Sequence, residues 1–126
     1  MQRESRRVLV VDDEPIIATT LATILRMNGF FATAFTDPVK ALASALVDTP
    51  DLLISDIVMP GLSGIDLAIQ IKALCPKCKV LLFSGQARTV NFLYDAERLG
   101  ENFHILPKPV HPIDLLKAIR EQGAEN

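Results

Sequence analysis

Five short apolar runs recur along the chain, at residues 8–11, 31–35, 52–54, 80–83 and 103–106, each bounded by charged or turn residues. Their brevity and their Val, Ile, Leu and Phe content predict strands. Four are almost continuously apolar instead of alternating, the pattern of strands buried on both faces of a parallel sheet. Between the runs the period changes. Ile17, Leu21 and Ile24, then Leu67, Ile71 and Leu74, fall at i, i+4 and i+7 and predict helices with one buried stripe.

Start and stop signals agree with this division. Asp37-Pro38 supplies an N-cap and a first-turn proline, Ser63 with Asp66 resembles a capping box, and Pro112 opens a last helix that turns Leu115, Leu116 and Ile119 inward. Gly29, Gly100 and Gly123 stand at expected helix ends. Residues 88–99 have the weakest helical period and are assigned to a helix because strand-helix-strand alternation requires a crossover there. Five β-α units in succession predict an α/β fold, an open five-stranded parallel sheet with helices on both faces.

Length sets the scale of this fold. The 126 residues suit one domain, with a core over about residues 6–122 and no room for a second folded unit. A formal charge of -2 argues against direct nucleic-acid binding, which needs clustered Lys and Arg. The one basic cluster, Arg3, Arg6 and Arg7, is short and interrupted by acid. No apolar run approaches the ~20 residues that span a bilayer, and no signal-type stretch follows the N-terminus, so a cytoplasmic protein without membrane contact is expected.

The two cysteines, in Cys75-Pro76-Lys77-Cys78, are no disulfide framework. Thioredoxin-like chemistry places its thiol at a helix N-terminus, whereas Cys75 follows a predicted helix, where the macrodipole disfavours thiolate. An inert surface-loop pair is the expectation. Zinc would need more ligands than two sulfurs, and His104 and His111 lie far along the chain.

Polar residues stand where the apolar strands end: Asp12 and Asp13 after VLVV, Asp56 after LLIS, Ser84 after VLLF and Lys108 after HILP. Loops often begin with polar residues, so no one of these positions is diagnostic. Together they are coherent, because open α/β sheets bind ligands at the carboxyl ends of their strands. Three gathered carboxylates repel one another unless a cation neutralises them, and all-oxygen ligation favours Mg2+ over zinc. Lys108 and Ser84 then suit an anion with charge on several oxygens, best read as phosphoryl, which the Asp56 carboxylate can accept.

With these residues in place, the chain resembles the receiver domain of two-component response regulators along nearly all its length. VDDEP, SDIVMPGLSGIDL, LFSG and LPKP stand in that family's order and spacing. The resemblance implies a strand order of 2-1-3-4-5, Asp56 as phosphoacceptor, Asp13 as direct metal ligand and Asp12 as an acid reaching Mg2+ largely through water. It implies the backbone carbonyl of Val58 as a further ligand, Ser84 as the hydroxyl that turns toward the phosphoryl group, and Lys108 as its ionic partner. Gly85 is small enough for phosphoryl access, and the Lys108-Pro109 bond matches a position that is usually cis.

The same resemblance implies a sensor histidine kinase or phosphotransfer protein as donor. It implies an output partner bound through the predicted fourth helix, fifth strand and last helix, with homodimerisation on phosphorylation. Such a domain catalyses only its own phosphorylation and dephosphorylation. Val58 and Gln86 flank the expected phosphoryl position; Val58 cannot orient water and Gln86 is no base, so slow spontaneous loss is expected. One departure is Ile105, where the family often has a rotating Tyr or Phe.

Other functions fit less well. A phosphatase forming its own aspartyl phosphate needs a second acid two residues after the nucleophile, where this chain has Val58. A flavin site needs a Gly, Ser or Thr phosphate loop after the first strand, and Asp12, Asp13 and Glu14 would repel it. An interaction module that is never phosphorylated would have lost its acids, and none is lost.

Overall fold

The computed structural model describes residues 6–85 and 103–122. Within them β1 (Arg7–Val11), α1 (Pro15–Met27), β2 (Phe31–Phe35), α2 (Pro38–Val47), β3 (Leu52–Asp56), α3 (Gly64–Leu74), β4 (Lys79–Ser84), β5 (His104–Pro107) and α4 (Pro112–Glu121) follow one another. The helix expected over residues 88–99, the stops at Gly100 and Gly123, and Gln86 and Arg3 lie outside the described residues.

The five strands form one parallel sheet in the order β2-β1-β3-β4-β5, as the resemblance implied. Its faces carry separate cores. Val8, Val10, Leu52, Ile54, Leu81 and Phe83 pack with Leu21 and Leu25 of α1 and Leu115 and Ile119 of α4. On the other face Leu9, Val11, Leu53, Val80 and Leu82 pack with Ala41 and Ala45 of α2 and with Ile65, Leu67 and Ile71 of α3. Burial on both faces is why these strands read as unbroken apolar runs.

Helix ends follow local chemistry. Asp37 accepts the Val39 amide at 2.9 Å and Ser63 Oγ accepts that of Asp66 at 3.1 Å, so both expected N-caps form. Gly29, at φ +90°, closes α1 with its amide on the Arg26 carbonyl and the Phe30 amide on that of Leu25. The buried stripe of α1 differs from the expected one: Ala18, Leu21, Ala22 and Leu25 are buried, and Ile24 only partly. Two alanines let the helix lie close to the sheet, and a search for large side chains passes over them. Leu74 likewise ends α3 exposed.

Candidate metal and phosphoryl site

Strand register builds the site. Val11 of β1 lies level with Ser55 of β3, so Asp12 and Asp56 emerge side by side. Asp56 lies level with Phe83 of β4, and Ser84 with Pro107 of β5, which brings Lys108 to the same edge. The Lys108 amide donates to the Ser84 carbonyl at 3.0 Å, and the Lys108-Pro109 bond is cis.

Asp12 is fully buried, Asp56 is 8% exposed and Asp13 faces solvent. One oxygen from each can be chosen so that all three lie within 4.8 Å of one another. Lys108 Nζ sits between two of them, 3.3 Å from Asp12 Oδ2 and 3.2 Å from Asp56 Oδ2. The second oxygen of Asp12 accepts the Glu14 amide at 3.0 Å, fixing its carboxylate.

These neighbours set the protonation balance. Burial pushes the Asp56 carboxyl upward, Lys108 pulls it back, and Asp12 and Asp13 add to the rise, which prevails. Burial works against the Lys108 ammonium, but Asp12 and Asp56 more than reverse it, so its pKa is raised and it stays charged. Among the described residues, three carboxylates gather with one ammonium, a formal surplus of two negative charges. A hard divalent cation fits such a set: every donor is oxygen, and exposed Asp13 gives it access.

A cleft of about 430 Å³ opens beside these groups, walled by Asp13, Asp56, Val58, Gly85 and Lys108. Glu14 also lines it, as do Met59 and Pro60, which sequence reasoning did not single out. Ser84 does not; it ends β4 half-buried at the edge. Gly85 is constrained by the lysine stem, since a Cβ there would stand 3.2 Å from Lys108 Cβ. A groove of about 460 Å³ beside β5 and α4 carries His104 and His111. Its acids form no such group, for among the described residues only Asp12, Asp13 and Asp56 are gathered closely enough to share an ion.

Sequence reasoning missed Gly64. A Cβ there would collide with the Asp56 carbonyl oxygen, so the first residue of α3 must lack one for the helix to seat against the end of β3. The signal was the glycine after the Ser63 cap. The cysteine reading also changes in one respect: Cys78 is fully buried in the α2/α3 core, and only Cys75 is partly open. Ile105 lies level with Leu82, half-buried against the same core.

Comparison with known proteins adds family context to this geometry. The family model for the response regulator receiver domain matches residues 8–120. The DNA-binding response regulator MtrA of Mycolicibacterium smegmatis is 29% identical over 126 residues, covering 100% of this chain and 54% of MtrA. The transcriptional regulatory protein CreB of Escherichia coli is 32% identical over 120 residues, 95% of this chain and 51% of CreB. The chain thus spans about half the length of these curated relatives. Among solved structures, a response regulator receiver domain protein from Clostridium thermocellum aligns with TM-score 0.81 at 28% identity, over 93% of each chain. A CheY-like receiver domain protein from Methanospirillum hungatei aligns with TM-score 0.83 at 28% identity, over 94% of this chain and 93% of that one. No helix among the described residues is long and apolar enough to cross a membrane.

Proposed function

The chain belongs to the response regulator receiver family, a regulatory domain of phosphorylation-dependent signalling, and from that premise we propose that Asp56 is its phosphoacceptor. The observation that carries this is the gathering of Asp12, Asp13 and Asp56 at one sheet edge with Lys108 bridging two of them. A carboxylate oxygen of Asp56 attacks the phosphorus of a phosphohistidine on a histidine kinase or phosphotransfer protein. The P–N bond breaks, its electron pair leaves with the imidazole, which takes a proton, and an acyl phosphate remains on Asp56.

Mg2+ held by Asp12, Asp13, Asp56 and the Val58 carbonyl would, when bound, offset charge on the transferring group. Lys108 supplies the fixed positive charge, and its ammonium moves its ion pairing from the Asp56 oxygens to the phosphoryl oxygens. Ser84 donates its hydroxyl to the same group and thereby senses it. Val58, apolar in the cleft wall, gives water no orienting partner, which favours a long-lived phosphoryl state. The output partner meets β5 and α4 together with residues 88–99, and pairing of two copies on phosphorylation belongs to the same reading.

Incubation with acetyl phosphate and Mg2+ should add one phosphoryl mass to the wild type and none to Asp56→Asn. Labelling should vanish when the metal is chelated. Equal labelling of the two proteins overturns the assignment of Asp56, and labelling without metal overturns that of the acidic cluster.

A further inference from the structure

Ser55 interrupts an apolar strand one residue before the acceptor. Its side chain is fully buried, on the sheet face where Leu53 and Ile57 pack with Leu9, Val11 and Leu82. A hydroxyl in such surroundings is costly unless it is hydrogen-bonded, and an alkyl group would satisfy the packing without that cost. Its bond runs to the carbonyl oxygen of Asp56, at 2.8 Å.

That same oxygen is approached from a second direction. The space a Cβ would need at Gly64 is filled by the Asp56 carbonyl, so α3 presses on it from outside the strand. The amide of Gly64 donates to the Ile57 carbonyl at 2.8 Å, and the Ile57 amide donates to Phe83 of β4 at 3.1 Å. The peptide linking Asp56 to Ile57 is therefore held at its oxygen by Ser55 and α3, and at its nitrogen by β4. This peptide helps to set the direction in which the Asp56 side chain leaves the strand, and it leads through Ile57 to Val58.

We infer that Ser55 is a positioning residue for phosphoryl transfer, acting through the Asp56 carbonyl to hold the acceptor carboxylate and the Val58 segment at the metal and phosphoryl site. The inference rests on the reading of Asp56 as acceptor. A serine that merely filled the core would contribute to stability alone. A positioning serine sets geometry, and small displacements of a reacting group are felt in rate.

The test compares Ser55→Thr, which keeps the hydroxyl, with Ser55→Val, which has the shape of the Thr variant but a methyl in place of its hydroxyl, and adds Ser55→Ala. Three quantities are read: the acetyl phosphate labelling rate, the thermal midpoint, and the Mg2+ half-saturation from amide shifts of Asp13, Asp56, Ile57 and Val58. Ser55→Thr should keep both the rate and the Mg2+ half-saturation near the wild type. Ser55→Val and Ser55→Ala should label about three- to tenfold more slowly or need about that much more Mg2+, beyond any change in midpoint.

Equal rates and equal half-saturation for the Thr and Val variants would overturn the inference. If the Val variant does not fold, an Ala variant indistinguishable from the wild type overturns it equally well. A wild type that shifts with Mg2+ yet is never labelled defeats the phosphoacceptor reading instead, and the titration then decides the role of Ser55 by itself.

Discussion

At the amino end of the sheet, Arg7, Asp48, Asp51 and Ser44 satisfy one another, whereas at the carboxyl end Asp12, Asp13 and Asp56 gather with Lys108 paired to two of them. Arg7 donates to the Asp48 carbonyl at 3.0 Å and to Ser44 Oγ at 2.9 Å, tying β1 to α2. Asp51 accepts the Arg7 amide at 2.8 Å on its side chain, donates to the Arg7 carbonyl at 2.8 Å, and accepts the Lys79 amide at 3.0 Å. One aspartate thereby joins the starts of β1, β3 and β4. At the other end, charge is left over. The same residue type holds the strands together at one edge and, at Asp56, carries a burial penalty at the other, where a cation would relieve the imbalance.

Changes at each end sharpen this contrast. The largest loss should come from Gly64→Ala, because the new Cβ meets backbone and α3 has to move; roughly 2–3 kcal/mol of stability should go. A urea midpoint unchanged from the wild type would show that α3 does not press on the end of β3. Next, Asp51→Ala should cost about 1–2 kcal/mol, since it strips a partly buried amide of its acceptor.

Removing an acid from the carboxyl end should act in the opposite direction. Asp56 has its carboxyl raised on folding by burial and by its acidic neighbours, against the pull of Lys108. Its stabilising contribution is therefore present at acid pH, while it is protonated, and lost as pH rises through the folded value. Without divalent cation, Asp56→Asn should be modestly more stable than the wild type at neutral pH. The gap should close as pH falls toward the ordinary carboxylate value of 3.8. A destabilised Asp56→Asn at neutral pH would break the comparison.

The smallest effect concerns the thiols. Burial, aided by the nearby Cys75, pushes the Cys78 thiol up to about 12. Iodoacetamide at mildly alkaline pH should therefore reach Cys78 only in denaturant. Native labelling of both cysteines at equal rates would contradict this burial. Replacing the pair with serine should leave acetyl phosphate labelling intact.

Much of the fold was legible because it is written in local and periodic signals. Unbroken apolar runs marked parallel strands, and Asp37, Ser63 and Gly29 marked helix ends by chemistry that needs only a few neighbouring residues. The polar residues at strand ends were legible for the same reason. Alanines 18 and 22 were not, because small size becomes informative only when a sheet lies against it. Gly64 and Ser55 were missed for a related reason: the contact that constrains each of them is with the Asp56 carbonyl, a backbone atom that no side-chain pattern displays.

The sequence by itself determined the strands, most helix boundaries and the set of acids and lysine available for chemistry, since these follow from burial patterns and capping. Only the tertiary structure decided that Lys108, distant along the chain, reaches both Asp12 and Asp56. It also decided which oxygens meet, which acid is buried, and that Ser55 and α3 both meet the carbonyl of the Asp56–Ile57 peptide. The physical reason is register. A shift of β3 against β1 would keep every local signal intact while moving Asp56 away from Asp12, and the pairing of Val11 with Ser55 is fixed by two packed faces and not by either strand alone.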